Sequence, residues 1–193
     1  MTFKRHLVVL AMVVAVGVFF AGLTIAPASG SSSADPTPTC DLTGNDQGED
    51  NDDQGEDVQG DDQGDDIQGT EADDQLDGNA GDDQIDGNGG NDDICGDQGD
   101  DELNGGPGDD ELDGGPGDDI ENGQAGDDDV NGNNGNDTLT GGLGADFVSG
   151  GPGRDRINVR FQGPDRVQCG IGFDIVKASS NDRVASNCEV VKR

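Results

Sequence analysis

One large apolar side chain returns every nine residues through the middle of this chain. From Gly78 the sequence divides without a gap into GNAGDDQID, GNGGNDDIC, GDQGDDELN, GGPGDDELD, GGPGDDIEN, GQAGDDDVN, GNNGNDTLT, GGLGADFVS and GGPGRDRIN, ending at Asn158. In eight of these nine units the eighth place holds a lone Ile, Leu or Val. Triplets such as QID, ELN, TLT and RIN turn one side chain one way and its neighbours the other, which is the period of two of a short β-strand. The residues before each triplet are mostly Gly, Asp and Asn, which favour tight turns. A constant period of this length marks a repeat architecture, in which each unit buries its apolar residue against its neighbours. Two looser units precede the run, GDDQGDDIQ from Gly60 and GTEADDQLD from Gly69, and two follow Val159, RFQGPDRVQ from Arg160 and CGIGFDIVK from Cys169.

Each of the nine units begins with Gly and keeps Gly at the fourth place and Asp at the sixth. The pattern resembles the RTX, or haemolysin-type, calcium-binding nonapeptide G-G-x-G-x-D-x-U-x, with U a large apolar residue, over about residues 60–177. The resemblance implies an all-β chain: a parallel β-roll, a solenoid whose units are a calcium-binding turn followed by a short strand, with successive units on opposite sides. On that geometry residues 18 apart stack. The apolar column on one face is Leu76, Ile94, Leu112, Val130 and Val148; on the other it is Ile85, Leu103, Leu139 and Ile157. Two columns of aspartate are the expected metal ligands: Asp83, Asp101, Asp119, Asp137 and Asp155 in one, Asp74, Asp92, Asp110, Asp128 and Asp146 in the other. Neighbouring strands lie about 4.8 Å apart and calcium–oxygen bonds are about 2.4 Å long. An ion between stacked turns therefore reaches an oxygen on each, with backbone carbonyls completing its shell. Glycine at the first and fourth places is expected to carry positive φ. The cofactor implied is Ca2+, several ions per chain.

Charge strengthens this expectation. The formal net charge is −33, and residues 29–153 hold 38 Asp and Glu without one Lys or Arg. Such a polyanion repels nucleic acid and anionic lipid and attracts cations. Composition alone would class it as disordered, but a solvated polyanion has no use for a periodic apolar residue. One apolar residue in nine makes a sparse core, so metal binding is expected to drive folding. Two other readings stay open: a disordered acidic calcium buffer, and an adhesive or matrix module. An EF-hand is excluded: Asp100 to Glu111 imitates its loop spacing, yet glycine recurring on both sides forbids the flanking helices. No nucleophile motif stands apart from the repeats and the only His is His6, so no enzyme activity is expected.

Residues 1–28 read as an export signal: Lys4, Arg5 and His6, an apolar run from Leu7 to Ala26, then Ala26-Pro27-Ala28 as a small-residue cleavage site. The alternative is an uncleaved anchor, since about 20 apolar residues span a bilayer. Either way the chain is expected outside the cytoplasm, secreted or held at the cell surface. Residues 29–59 read as an acidic linker and degenerate start, 60–158 as the repeats, and 159–193 as degenerate repeats and cap. Four cysteines allow three disulfide pairings, of which Cys169–Cys188 with Cys40–Cys95 is preferred because the first closes a compact loop. Phe161, Phe173, Val184, Val190 and Val191 are expected to cover the last coil, and Asp165 and Asp174 keep the sixth place there. One unit breaks the pattern. GGPGDDIEN has Ile120 at the seventh place and Glu121 at the eighth, so either Glu121 faces the core or a local twist brings Ile120 in.

Overall fold

The computed structural model describes residues 57–192. The described residues contain strands and turns and no helix. One sheet stacks Asp57–Gln59, Gln75–Asp77, Asp93–Cys95, Glu111–Asp113, Asp129–Asn131, Phe147–Ser149, Arg166–Gln168 and Arg183–Val184. The other stacks Asp66–Gln68, Gln84–Asp86, Glu102–Pro107, Ile120–Ala125, Thr138–Leu143, Arg156–Val159, Ile175–Ala178 and Val190–Lys192. Successive strands alternate between the sheets and every pairing is parallel, which makes a β-roll of about seven coils. A short third pairing joins Pro152–Gly153 to Ile171–Gly172 along the turns. The two sheets bury their inner faces against each other, and the outer faces carry exposed polar residues such as Gln84, Glu102 and Thr138.

The register is the one the repeat predicts. Leu76 pairs with Ile94, Ile94 with Leu112, Ile85 with Leu103 and Val130 with Val148, each 18 residues apart. All nine expected apolar residues are buried, eight with no exposed area and Ile157 with 1%. Each stands at the middle of its triplet, so the pleat sends it inward while its neighbours face the turns or solvent. The roll also starts earlier than Gly60. Strand Asp57–Gln59 pairs with Gln75–Asp77, and Val58 packs against the core.

The C-terminal cap differs from its expected composition. Val159, the residue outside the nonapeptide frame, is fully buried and pairs with Ala178, also fully buried. The extra residue widens the last coils, so Val148 pairs with Val167 and Ile157 with Val176 at a spacing of 19. The cap core is Val159, Val167, Cys169, Val176 and Ala178, with Val184 and Cys188 against it. Phe161 and Phe173 do not cover it; they are 48% and 49% exposed. They occupy the second and fifth places of their units, which are turn positions whose side chains leave the roll. Val191 is also exposed, although its strand closes its sheet. The Cys169–Cys188 disulfide is present and ties the last turn to the final coil. Cys95 is disulfide-bonded as well; Cys40, its expected partner, lies outside the described residues, as does the expected export signal. Among the described residues no helix is long and apolar enough to cross a membrane.

Candidate metal-binding turns

All ten aspartates expected as ligands are buried, none exposing more than 3% of its surface. Each stands just before its strand, at the inner end of the turn. One oxygen of each is occupied by the backbone. Asp92 Oδ1 accepts from the Asp74 N–H at 2.9 Å, Asp110 from Asp92 at 2.9 Å, Asp128 from Asp110 at 3.0 Å and Asp146 from Asp128 at 3.2 Å. The second column runs the same way. Asp83 accepts from the Asp65 N–H, Asp101 from Asp83, Asp119 from Asp101, Asp137 from Asp119 and Asp155 from Asp137, at 2.7–3.0 Å. The aspartates are thus joints between coils: each accepts from the coil before it and donates its own N–H to the coil after it.

The other oxygen is the informative one. Oδ2 of Asp83, Asp92, Asp101, Asp110, Asp119, Asp128, Asp137, Asp146 and Asp155 is buried without a hydrogen-bond partner. A buried carboxylate oxygen left unpaired is strongly unfavourable unless a charge partner is supplied. Asp74 differs, because the Thr70 N–H and hydroxyl, at 2.5 and 3.1 Å, already bind its Oδ2.

Glycine explains what these oxygens face. The first-place glycines do not use positive φ; they are required for space. A Cβ on Gly96 would stand 2.5 Å from Asp101 Oδ2 and 2.8 Å from the Gly114 carbonyl oxygen of the next coil. A side chain there would collide with both, so glycine is what lets a carboxylate oxygen and the next coil's carbonyl oxygen crowd together in the turn, both of them hard oxygen donors of the kind calcium takes. Positive φ belongs instead to the second and fourth places, with Asn79 at 69° and Gly81 at 140°. At the fourth place a Cβ on Gly99 would collide with the Gly81 carbonyl oxygen one coil earlier. The expectation for the fourth place is therefore met in six of the nine units, at Gly81, Gly90, Gly99, Gly108, Gly126 and Gly144 and not at Gly117, Gly135 or Gly153, and that for the first place is corrected.

Electrostatics points the same way. Burial, opposed by the backbone hydrogen bond and reinforced by neighbouring aspartates, raises these carboxyls above the ordinary range of about 4. Asp92, Asp101, Asp146 and Asp155 are pushed up to about 6, Asp119 and Asp128 to about 7 and Asp137 to about 8. Asp83 and Asp110 shift upward too, burial again the main cause. A site that resists ionisation without a cation, yet is built only of carboxylate and carbonyl oxygen, suits a hard divalent ion. Among the described residues no three His, Cys, Asp or Glu side chains converge into a cage. The carboxylates are spread one to a turn, so carbonyls must supply most of any ion's ligands.

The columns run on past the ten expected ligands, first to the two sixth-place aspartates of the degenerate repeats. Asp165 and Asp174 belong fully to the columns: both are buried and both have unpaired Oδ2. The columns then end on Asp182, which accepts from the Asp165 N–H at 3.4 Å, and on Glu189, which accepts from the Asp174 N–H at 2.9 Å. Their spacings of 17 and 15 fall outside the nonapeptide frame, so the repeat gave no signal for them. A second ladder, on exposed fifth-place residues, runs in the opposite sense: Asp82 accepts from the Asp100 N–H, Asp100 from Asp118 and Asp118 from Asn136. Its sequence signal was the recurrent Asp or Asn at the fifth place.

Fold and turns together define a solenoid whose coils are joined through aspartate and whose turns present oxygen to a cation. The family model of the RTX calcium-binding nonapeptide repeat (4 copies) matches residues 59–94, 95–121 and 122–157, and the chain belongs to that family. It is a calcium-binding repeat protein with a parallel β-roll fold. No curated protein and no solved structure matches the chain significantly.

Proposed function

We propose that the chain is an exported protein that folds when it takes up several calcium ions between successive turns. The observation that carries this reading is the row of nine unpaired Oδ2 atoms among the expected ligands, from Asp83 to Asp155. Each lies against a first-place glycine, where any side chain would collide with it. The residues that would hold the ions are Asp83, Asp92, Asp101, Asp110, Asp119, Asp128, Asp137, Asp146 and Asp155, with Asp165 and Asp174 extending the rows. Asp74 contributes less, since Thr70 already occupies its second oxygen. Calcium would supply the positive charge that the roll's interior lacks and link one coil's carboxylate to the next coil's carbonyl.

Export fits the same physics. Extracellular modules bind calcium at about 10⁻⁴–10⁻³ M, so a chain of this kind stays unfolded where calcium is scarce and folds where it is abundant. Residues 1–28 would serve export, 29–59 would tether the roll, 60–158 would bind calcium and 159–193 would close its end. The role is binding rather than catalysis, because the carboxylates are committed to identical turns. Circular dichroism and small-angle scattering in chelator and in millimolar calcium test the reading. At neutral pH, strand signal and compaction should be slight in chelator and rise with calcium; a fully formed roll in chelator at that pH would refute metal-driven folding.

A further inference from the structure

The unit that breaks the repeat is resolved in one sense only. Ile120 is 51% exposed and Glu121 is 1% exposed. Glu121 pairs in register with Leu103 before it and Leu139 after it, so a carboxylate takes the place of a core residue in that column. Both of its oxygens are buried without a hydrogen-bond partner. The apolar interior divides at this point: one cluster runs from Ile67 to Leu112, the other begins at Val130. Glu121 lies at the break.

Its direction is equally specific. A Cβ on Gly114 would stand 2.5 Å from Glu121 Oε1 and 2.6 Å from Asp119 Oδ2. At Gly96 the corresponding point meets one carboxylate and the next coil's carbonyl. The Gly114 turn therefore holds two carboxylate oxygens where its counterpart holds one. Asp113, whose Oδ2 is also buried and unpaired, adds negative charge nearby. Lys and Arg are absent between residues 29 and 153, so the coils on either side of Glu121 bring no base to this cluster. The Asn131 backbone N–H is the one donor close enough to favour the charge on Glu121, and it makes no well-formed hydrogen bond; a buried carboxylate so poorly compensated is rarely retained without a neutralising charge.

We propose that Glu121 is a ligand: with Asp119 it makes a two-carboxylate calcium site in the Gly114 turn, and that ion joins the two halves of the core. The proposal rests on the calcium reading above and adds a site of different composition to it. Affinity of oxygen sites for calcium rises with the number of charged ligands, so this turn binds first and most tightly. Its ion replaces the apolar continuity that the other coils obtain from Leu or Val.

Calorimetric calcium titration of the full chain tests this, comparing wild type with Glu121→Gln and Glu121→Leu. Wild type should show one tight site above a weaker class. Glu121→Gln should weaken the tight site by about tenfold or more and leave the weaker class unchanged. Glu121→Leu, which restores the column, should abolish the tight site and yet increase strand signal in chelator. A tight site retained in both variants, or equivalent sites throughout the wild type, would overturn the assignment. Wild type that takes up no calcium would instead refute the calcium reading itself, so the two failures are distinguishable.

Discussion

At the scale of single residues, each sixth-place aspartate does two jobs with two oxygens, and substitutions should separate them. Asp110 Oδ1 accepts the buried Asp92 N–H, while its Oδ2 has no partner. Asp110→Asn keeps an acceptor and removes a buried charge. In chelator at neutral pH it should retain more strand signal than wild type, but it should bind calcium less tightly. Asp110→Ala also strands the Asp92 N–H, which costs about 1–3 kcal/mol. It should therefore be the less stable variant in chelator at pH 4.5, where protonated carboxyls favour the metal-free roll, as thermal melting would show. The raised carboxyls make a second prediction. Their folded pKa values exceed the unfolded value of about 4, so the folded state binds more protons between those limits and stability falls as pH rises. Metal-free roll should be most stable near pH 4 and lose that stability as pH climbs through the range of about 6 to about 8, where these groups ionise. Calcium affinity should move the opposite way and weaken on acidification. Melting in chelator at pH 4.5 and 7.5 checks the first, calorimetry the second; a metal-free roll more stable at pH 7.5 would contradict it.

At the scale of the turn and its strand, glycine governs how closely coils approach. Gly99 has φ of 151° and no room for a Cβ against the Gly81 carbonyl. Gly99→Ala should cost about 3 kcal/mol or more even with calcium, because it combines backbone strain with forced separation of two coils. Asn79→Gly, at φ of 69°, should change the melting temperature little. The cap depends on its disulfide, which closes a separation of 19 residues. Cys188→Ser should remove about 3 kcal/mol, with faster amide exchange confined to Ile175–Ala178 and Val190–Lys192. Uniform loss of protection along the whole roll would show that the cap is not a separable element.

At the scale of the whole roll, two apolar clusters meeting at Glu121 predict two cooperative units. Hydrogen exchange at low calcium should find the coils before and after Glu121 opening separately, and saturating calcium should merge them. The sequence by itself determined the architecture. The nine-residue period places one apolar residue inward per strand, and a separation of 18 sets the partners in both sheets. Those are local, repeated rules, so Leu76 on Ile94 and Asp110 on Asp128 could be read from spacing alone. What lay outside the repeat could not. Tertiary structure decided that Val159 enters the cap while Phe161 and Phe173 face water, that Asp182 and Glu189 end the aspartate columns, and that Glu121 rather than Ile120 turns inward. It also decided that first-place glycine is kept for space. Each of these depends on which atoms a neighbouring coil brings within a few ångströms, and a period carries no information about a position that departs from it.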